Sequence, residues 1–388
     1  MTETSIGAGW LELEPVPPAI LPAQCMHAAA RQHGKPISAQ LSEILKLSLG
    51  PNRLSKEDYY YYRLYDDALD MAAKREFVGR ALEPLLHVLT CDSQWYAVAH
   101  DKLLFHGVLQ AAGLPVPALR AVYGGRGGLE GCAAPADPAA LATWLRQAPY
   151  PLFGKPATGI RSIGVARLDG YETADDVLRL AGGRQVPLAG FIEALAPFRG
   201  DGYLFQQAVV PHPEAKRLHG GQTLATVRLV LLLEEEGPQI FRALWKLPAG
   251  DNVADNFWRP GNIIALLDPA SGRLLRALSG VGPALQELER HPDTGSPLIG
   301  AEVPCWAELT ALCLRAARLF PHLRMQAWDV GIAADGPLLV ELNIGGDYSL
   351  PQLAAGRGML EPRFRSFLAD CAERRGQQKA WRKLRLPA

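Results

Sequence analysis

The stretch from Ala327 to Asn343, AWDVGIAADGPLLVELN, decides how the chain is read. Two apolar runs, Met325 to Ala333 and Pro337 to Ile344, flank Ala334-Asp335-Gly336, a pattern that predicts a β-hairpin. A three-residue loop needs a left-handed residue, and Gly336 supplies it at little steric cost. With that loop the strands pair so that Asp329 lies directly opposite Glu341, their Cβ atoms about 4.5–5.5 Å apart. Asn343 is two residues beyond Glu341 and therefore shares its face. Two carboxylates this close, among Trp328, Val330, Leu339 and Val340, must be protonated, paired with a base or bridged by a cation. An Asp, Glu and Asn set without Cys or His suits Mg²⁺, with Mn²⁺ as a substitute, and Mg²⁺ commonly arrives with phosphate oxygens and water.

The same pattern recurs upstream. Thr223 to Leu233 and Gln239 to Leu247 flank EEEGP, and Gly261 to Leu267 and Leu274 to Leu278 flank DPASGR. Leu152 to Pro156 and Ser162 to Leu168 flank the turn Ala157 to Arg161, and Tyr203 to Val210 is a further strand. So many hairpins exclude an all-parallel sheet. The expected class is α+β, with helices packed on one side of antiparallel sheets. Helices are expected from Asp101 to Ala112, from an Asp137 cap to Gln147, and from Trp306 to Leu319. Residues 1–98 read as mainly helical, with apolar spacing over Leu41–Leu49, Tyr65–Ala73 and Phe77–Leu89. Ser55 and Asp58 have capping-box spacing, and Tyr59 to Tyr62 read as a packing seam. The expected divisions are 1–98, 99–210 and 211–388.

The 388 residues allow two or three domains. Lys plus Arg and Asp plus Glu are 40 each, a balance that argues against a surface made to coat nucleic acid or anionic lipid. The sequence has no apolar run of membrane-spanning length, and its opening, MTETSIGAGWLELEP, lacks the pattern of a secretory signal. The six cysteines form no CxxC pair, so reduced thiols and a cytoplasmic setting are expected.

Several cations call for anions. Lys155 ends the run LFGKP and is followed by ATGIRSIG, which contains Thr158, Gly159, Ser162 and Gly164. A turn of small residues lets backbone N–H groups approach a phosphate, although the order is not that of a Walker A loop. Lys102 is a second candidate. Arg228 sits inside TLATVRLVLLL, where an arginine needs an anionic partner from protein or ligand. Lys246 and the Asp255-Asn256 pair lie near strand ends. His106, His212 and His219 are expected at structural or surface positions, and no nucleophilic triad is visible.

Taken in series, HDKLLFHGVLQAAGLPVP, LFGKPATGIRSIGV, YLFQQAVVPHPEAKRL, TLATVRLV, ADNFWRPGNIIALLDPASGRL and WDVGIAADGPLLVELNIGGDYSLPQL resemble the ATP-grasp superfamily, and within it the sugar-transfer associated branch related to α-L-glutamate ligases. The resemblance covers about residues 95 to 355. It implies an ATP-grasp fold of two α+β subdomains with antiparallel sheets, preceded by the helical region, and an ATP site between them. It implies that Lys102 and Lys155 hold phosphates under a turn containing Thr158 and Ser162. The segment Gln206, Gln207 to Val209 would meet the adenine edge, and Glu214 the ribose. Arg228, Lys246 and Asn256 would act in catalysis, and Asp329, Glu341 and Asn343 match the magnesium ligands. Two departures stand out: Gln207 occupies a position where an acid is common, and Arg259-Pro260-Gly261-Asn262 replaces a Gly-Gly pair. The implied activity is an ATP-dependent carboxylate–amine ligase acting on small molecules through an acyl phosphate. A small-molecule phosphotransferase and a non-catalytic nucleotide-binding subunit are the alternatives. Neither nucleic acid nor membrane is an expected partner.

Overall fold

The computed structural model describes residues 20–124, 127–159, 163–345 and 347–376. Ser162 and the neighbouring Ile160-Arg161 lie outside the described residues, as does the start of the expected helical region. Thirteen strands among the described residues form two sheets, and every pairing between them is antiparallel. The smaller sheet holds β1 (Leu119–Tyr123), β2 (Leu152–Pro156), β3 (Ala166–Glu172), β4 (Val177–Leu180), β5 (Gln185–Pro187) and β6 (Tyr203–Gln207), in the order β1-β6-β2-β3-β4-β5. The larger holds β7 (Thr226–Glu234), β8 (Gly237–Leu247), β9 (Ile263–Leu267), β10 (Leu274–Ser279), β11 (Gln286–Glu287), β12 (Met325–Ala333) and β13 (Gly336–Ile344). Its order is β11-β10-β9-β8-β7-β12-β13. The architecture is α+β: two subdomains, each with an antiparallel sheet, preceded by helices.

The larger sheet corrects one expectation, because its helices cover both faces. On one face Val227, Leu229, Trp245 and Trp328 pack with Phe105 and Leu109 of helix Lys102–Ala111 and with Leu309, Leu312 and Ala316 of helix Trp306–Ala317. On the other, Val230, Leu232 and Met325 pack with Val78, Leu82 and Leu86 and with Phe364, Phe367 and Leu368 of helix Pro362–Arg374. Beside them Leu244, Ile264 and Leu278 meet Tyr59 to Tyr62. This is why TVRLVLLL and MQAWDVGIA are almost unbroken apolar runs rather than alternating ones: neither face of those strands meets water. It also places helix Lys102–Ala111 in the core of the larger sheet, although it falls within the expected 99–210 segment.

The N-terminal region forms helices Pro22–His33, Ile37–Ser48 and Lys56–Tyr61. The last opens with the expected capping box, in which Ser55 Oγ accepts the Asp58 N–H and Asp58 Oδ2 accepts the Ser55 N–H, both at 3.0 Å. The helices expected over Tyr65–Ala73 and Phe77–Leu89 shrink to Met71–Lys74 and Glu83–Thr90. The cause is tertiary. The Gly79 N–H donates to Asn52 O, and a Cβ on Gly79 would lie 2.2 Å from Arg53 O, so the chain is pinned there in a non-helical path. Among the described residues no helix is long and apolar enough to cross a membrane.

The β12–β13 hairpin brings the expected pair together by a different route. The loop has two residues, Ala334 and Asp335, with Ala333 opposite Gly336, whose φ is 115°. The register then slips between Val330 and Asp329, leaving Val340 as the extra residue, and Asp329 faces Glu341.

Candidate active site between the two subdomains

A cleft opens between the sheets, with Lys102, Lys155, Lys246, Asp255, Asp329 and Glu341 among its charged lining. Phe153, Val165, Leu224 and Val253 supply apolar wall. Arg167 of β3 ties the subdomains together by donating from Nη1 to Gln222 O at 2.7 Å.

The larger sheet contributes a network that is already charge-paired. Arg228 on β7 and Asp329 on β12 are directly opposite in register. Arg228 Nε and Nη2 donate to the two Asp329 carboxylate oxygens, both at 2.8 Å, a bidentate fork. Lys246 Nζ reaches Asp329 Oδ2 at 3.0 Å and lies 3.6 Å from Asp255 Oδ1. Arg228 Nη1 also reaches Asp347 Oδ2 at 3.0 Å. Burial would raise the Asp329 carboxyl, but Arg228 and Lys246 outweigh it and hold it well below the usual carboxylate range. Burial opposes the Arg228 charge as well, yet Asp329, then Asp347 and Glu341, lift its pKa above the ordinary arginine value. The close carboxylate pair is thus relieved by protein bases, one of the three remedies open to it, and Arg228 finds its anion within the protein.

Asp255 completes this floor. Thr226 donates its N–H (2.8 Å) and its hydroxyl (2.5 Å) to Asp255 Oδ2. Burial raises the Asp255 carboxyl, and Lys246 and Thr226 only partly offset it. The loop carrying Asp255 is organised by buried Asn262. Its Oδ1 accepts from Ala249 N, and its Nδ2 donates to Ala254 O and Asn256 O. Asn256 itself spends its Oδ1 on the Trp258 N–H and does not border the cleft.

The smaller sheet presents the opposite electrostatic condition. Lys155 at the end of β2 is buried, and its ammonium has no hydrogen-bond or ion-pair partner among the described residues. Burial, then the nearby Lys102 charge, lower its pKa to about 8, with Glu341 pulling the other way. Lys102 Nζ donates to Gly159 O at 2.7 Å and lies 3.5 Å from Glu341 Oε1, linking the glycine turn to the hairpin. At the far end of that turn Tyr203 Oη donates to Gly164 O. Thr158 is half-buried and does not border the cleft, whereas Gly159 does.

Two residues back along β2, Phe153 pairs with Gln206. Gln206 is buried against the cleft. Gln207 has both amide ends engaged, Nε2 donating to Pro151 O at 2.8 Å and Oε1 accepting from Arg120 Nε at 3.1 Å, so its side chain fastens this edge of the cleft. Val209 borders the cleft, and its backbone groups have no backbone hydrogen-bond partner among the described residues. Glu214 is exposed in the first turn of helix Pro213–His219 and is not part of the lining. His106 and His219 are buried and His212 caps that helix, none bordering the cleft.

For a divalent cation, the oxygen donors are Asp329, Glu341 and Asn343. Glu341 is the accessible one, its side chain 29% exposed. Asp329 is charge-compensated, and Asn343, opposite Ala327, is half-buried beyond the lining. Among the described residues no group of three or more His, Cys, Asp and Glu forms a self-standing metal site. The donor set therefore fits a hard ion that brings phosphate oxygens with it, rather than one held by protein alone.

Sequence reasoning marked the loops 259–262 and 347–352 as acceptor contacts but did not foresee Asp347 and Asn262 as parts of this network, and it favoured Asn256 over its neighbour Asp255. The available signal for Asp255 was an acid in an otherwise apolar stretch, VADNFW. Asp347 and Asn262 had none beyond loop polarity.

A search of curated proteins finds no match. Among solved structures, an ATP-grasp ligase PsnB complexed with minimal precursor is 18% identical, with a TM-score of 0.36, covering 69% of this chain and 60% of that one. N5-carboxyaminoimidazole synthase from Aspergillus clavatus, in complex with ADP and 5-aminoimidazole ribonucleotide, is 13% identical, TM-score 0.38, covering 72% and 54%. D-alanine–D-alanine ligase from Helicobacter pylori is 13% identical, TM-score 0.41, covering 75% and 67%. The chain thus spans less than two thirds of the length of the first two. The described network overlaps the part of the sequence that a family model recognises: residues 194–367 match the model described as sugar-transfer associated ATP-grasp, and over that stretch the chain carries the pattern of this family.

Proposed function

We propose that the protein is an ATP-dependent ligase that joins a small carboxylic acid to an amine through an acyl phosphate. The observation that carries this reading is Lys155: a buried ammonium without a partner among the described residues, facing a cleft whose other wall has its charges already paired. A polyphosphate laid along β2 relieves that cation. Lys155 and Lys102 bind its oxygens, and the Val209 backbone and Gln206 meet the base. Glu341 and Asn343, with Asp329, are the donors that would hold Mg²⁺, whose contribution is to neutralise phosphoryl oxygens.

In the first step a carboxylate oxygen of the acid attacks the γ-phosphorus, and ADP leaves with the electrons of the broken P–O bond. In the second, the amine nitrogen attacks the acyl carbon, phosphate departs and the nitrogen releases a proton. The protein's share is positioning and electrostatics. Lys246, held by Asp329 and Asp255, and Arg228, held by Asp329 and Asp347, keep fixed positive charge beside the transferred group. Glu214, exposed away from the cleft, has no part in this reading.

The test is phosphate release from ATP with paired acids and amines. Turnover that needs both, with ¹⁸O passing from carboxylate to phosphate, supports the ligase. A stable phosphorylated product formed without amine replaces it with a phosphotransferase, and absence of nucleotide binding by calorimetry removes both.

A further inference from the structure

On the larger sheet's other flank, the N-terminal helices meet the end of β13, and three carboxylates converge there. Arg80 pairs with Asp58 at 3.3 Å, and Arg228 pairs with Asp347 at 3.0 Å. Glu83, in the first turn of helix Glu83–Thr90, forms no ion pair among the described residues, and its buried Oε1 has no hydrogen-bond partner among them.

The surrounding groups are also unsatisfied. The Tyr61 hydroxyl is buried without a partner among the described residues, its residue 1% exposed, and Glu83 and Asp347 are near enough for their charges to bear on it. Its ring lies under Arg80, 5.2 Å from the guanidinium, and against Trp258, 5.8 Å between centroids. His87, its Nε2 without a partner among the described residues, stacks on Tyr348 and lies so close to Gly345 that a Cβ there would sit 2.0 Å from the ring. Asp347 holds a φ of 45°, a strained conformation for a residue with a side chain. Burial, then the charges of Asp347 and Asp58, push the Glu83 carboxyl up to about 8, with Arg80 pulling the other way. Glu83, His87 and Asp347 are only half-buried, so the recess is open at its rim.

We propose that this recess, with the Asp347 carboxylate and the Glu83 carboxyl as acceptors and the Tyr61 hydroxyl as hydrogen-bonding partner, is the subsite for the ammonium group of the amine substrate. The inference rests on the ligase reading, and Asp347 supplies the link, since it touches the same Arg228 that grips Asp329. The helical N-terminal region thereby becomes a wall of the active site.

The experiment is saturation-transfer NMR on the full chain with ADP and Mg²⁺, using methylammonium, ethanolamine, D-glucosamine and L-alaninamide. The last three are each compared with their N-acetyl derivatives. At least one primary amine should bind while its acetylated form does not, and Glu83→Gln should weaken it tenfold or more. Tyr61→Phe removes only the unpartnered hydroxyl, so the melting temperature should hold or rise while amine affinity falls. Nucleotide affinity should stay within twofold in both variants. Amine binding at wild-type strength in both variants overturns the proposal, as does failure of every amine to bind a protein whose nucleotide affinity is intact. Amine binding that depends on Glu83 in a protein without nucleotide affinity supports the subsite while removing the ligase reading.

Discussion

Lys155 on β2 and Lys246 on β8 are each 7% exposed and border the same cleft, but their surroundings differ. Lys246 lies between Asp329 and Asp255 and belongs to a network that includes Arg228 and Asp347. Lys155 has a second lysine nearby and no anion in contact among the described residues, so burial depresses its pKa to about 8. One wall is complete without a ligand and the other is not. A buried cation with its anions is a structural element as much as a chemical one, whereas a buried cation without them is tolerated where something else supplies the anion.

The largest expected effect is on the completed wall. Asp329→Asn leaves Arg228 and Lys246 without their shared carboxylate, and breaking such a buried pair typically costs about 3–5 kcal/mol. The variant should melt at least several degrees lower by calorimetry and lose turnover. A melting temperature unchanged within a degree would show that the network does not hold the sheet. Glu341→Gln should separate the two properties. Its partner Lys102 is 3.5 Å away and its side chain is partly open, so stability should change by less than about 1 kcal/mol. Magnesium-dependent turnover should nevertheless fall about 100-fold or more, and full activity would remove Glu341 from the metal set.

On the incomplete wall, Lys155→Met should lower nucleotide affinity about tenfold or more in calorimetry without loss of thermal stability. The pH dependence has a definite sign. The folded Lys155 titrates near 8 and the unfolded one near the ordinary value of about 10.4, so between these the unfolded chain holds more protons and stability rises with pH. Below pH 8 the folded state carries the whole penalty. Nucleotide affinity should fall over the same window as the cation is lost, and Lys155→Met should flatten that part of both curves. The smallest effect belongs to Gln207→Ala. It frees Pro151 O and Arg120 at a partly open edge, and a loss of about 1–2 kcal/mol with a few-fold weaker nucleotide binding is expected. A larger loss of binding would give Gln207 a direct ligand role.

Local elements were readable because their causes are local. The Ser55–Asp58 capping box, the Asp137 cap of helix Pro138–Leu145 and the strands of the β7–β8 and β12–β13 hairpins follow from neighbouring residues. The Tyr59–Tyr62 run packs as a seam because four aromatic rings have nowhere else to be buried. The helix expected over Phe77–Leu89 was misread for the converse reason. Its apolar spacing is helical, but Gly79 is held by Asn52 and Arg53, a contact no local pattern announces. Helices on one side of the sheet were expected, although the unbroken apolar runs of β7 and β12 already carried the signature of two covered faces.

What the sequence determined by itself is that Asp329 and Glu341 lie on the two strands of one hairpin and that Lys155 stands before a glycine turn, since a tight turn is specified by a few adjacent residues; their direct facing depends on the bulge at Val340. What only the tertiary structure decided is how those charges are met. Arg228 and Lys246 reach Asp329 across 101 and 83 residues of chain. They do so because the sheet order sets β7 between β8 and β12, an order chosen by burying both faces of the sheet at once. No local pattern contains that choice. The same global packing brings Glu83 and Tyr61 of the N-terminal region beside Asp347 and leaves Lys155 facing an open cleft.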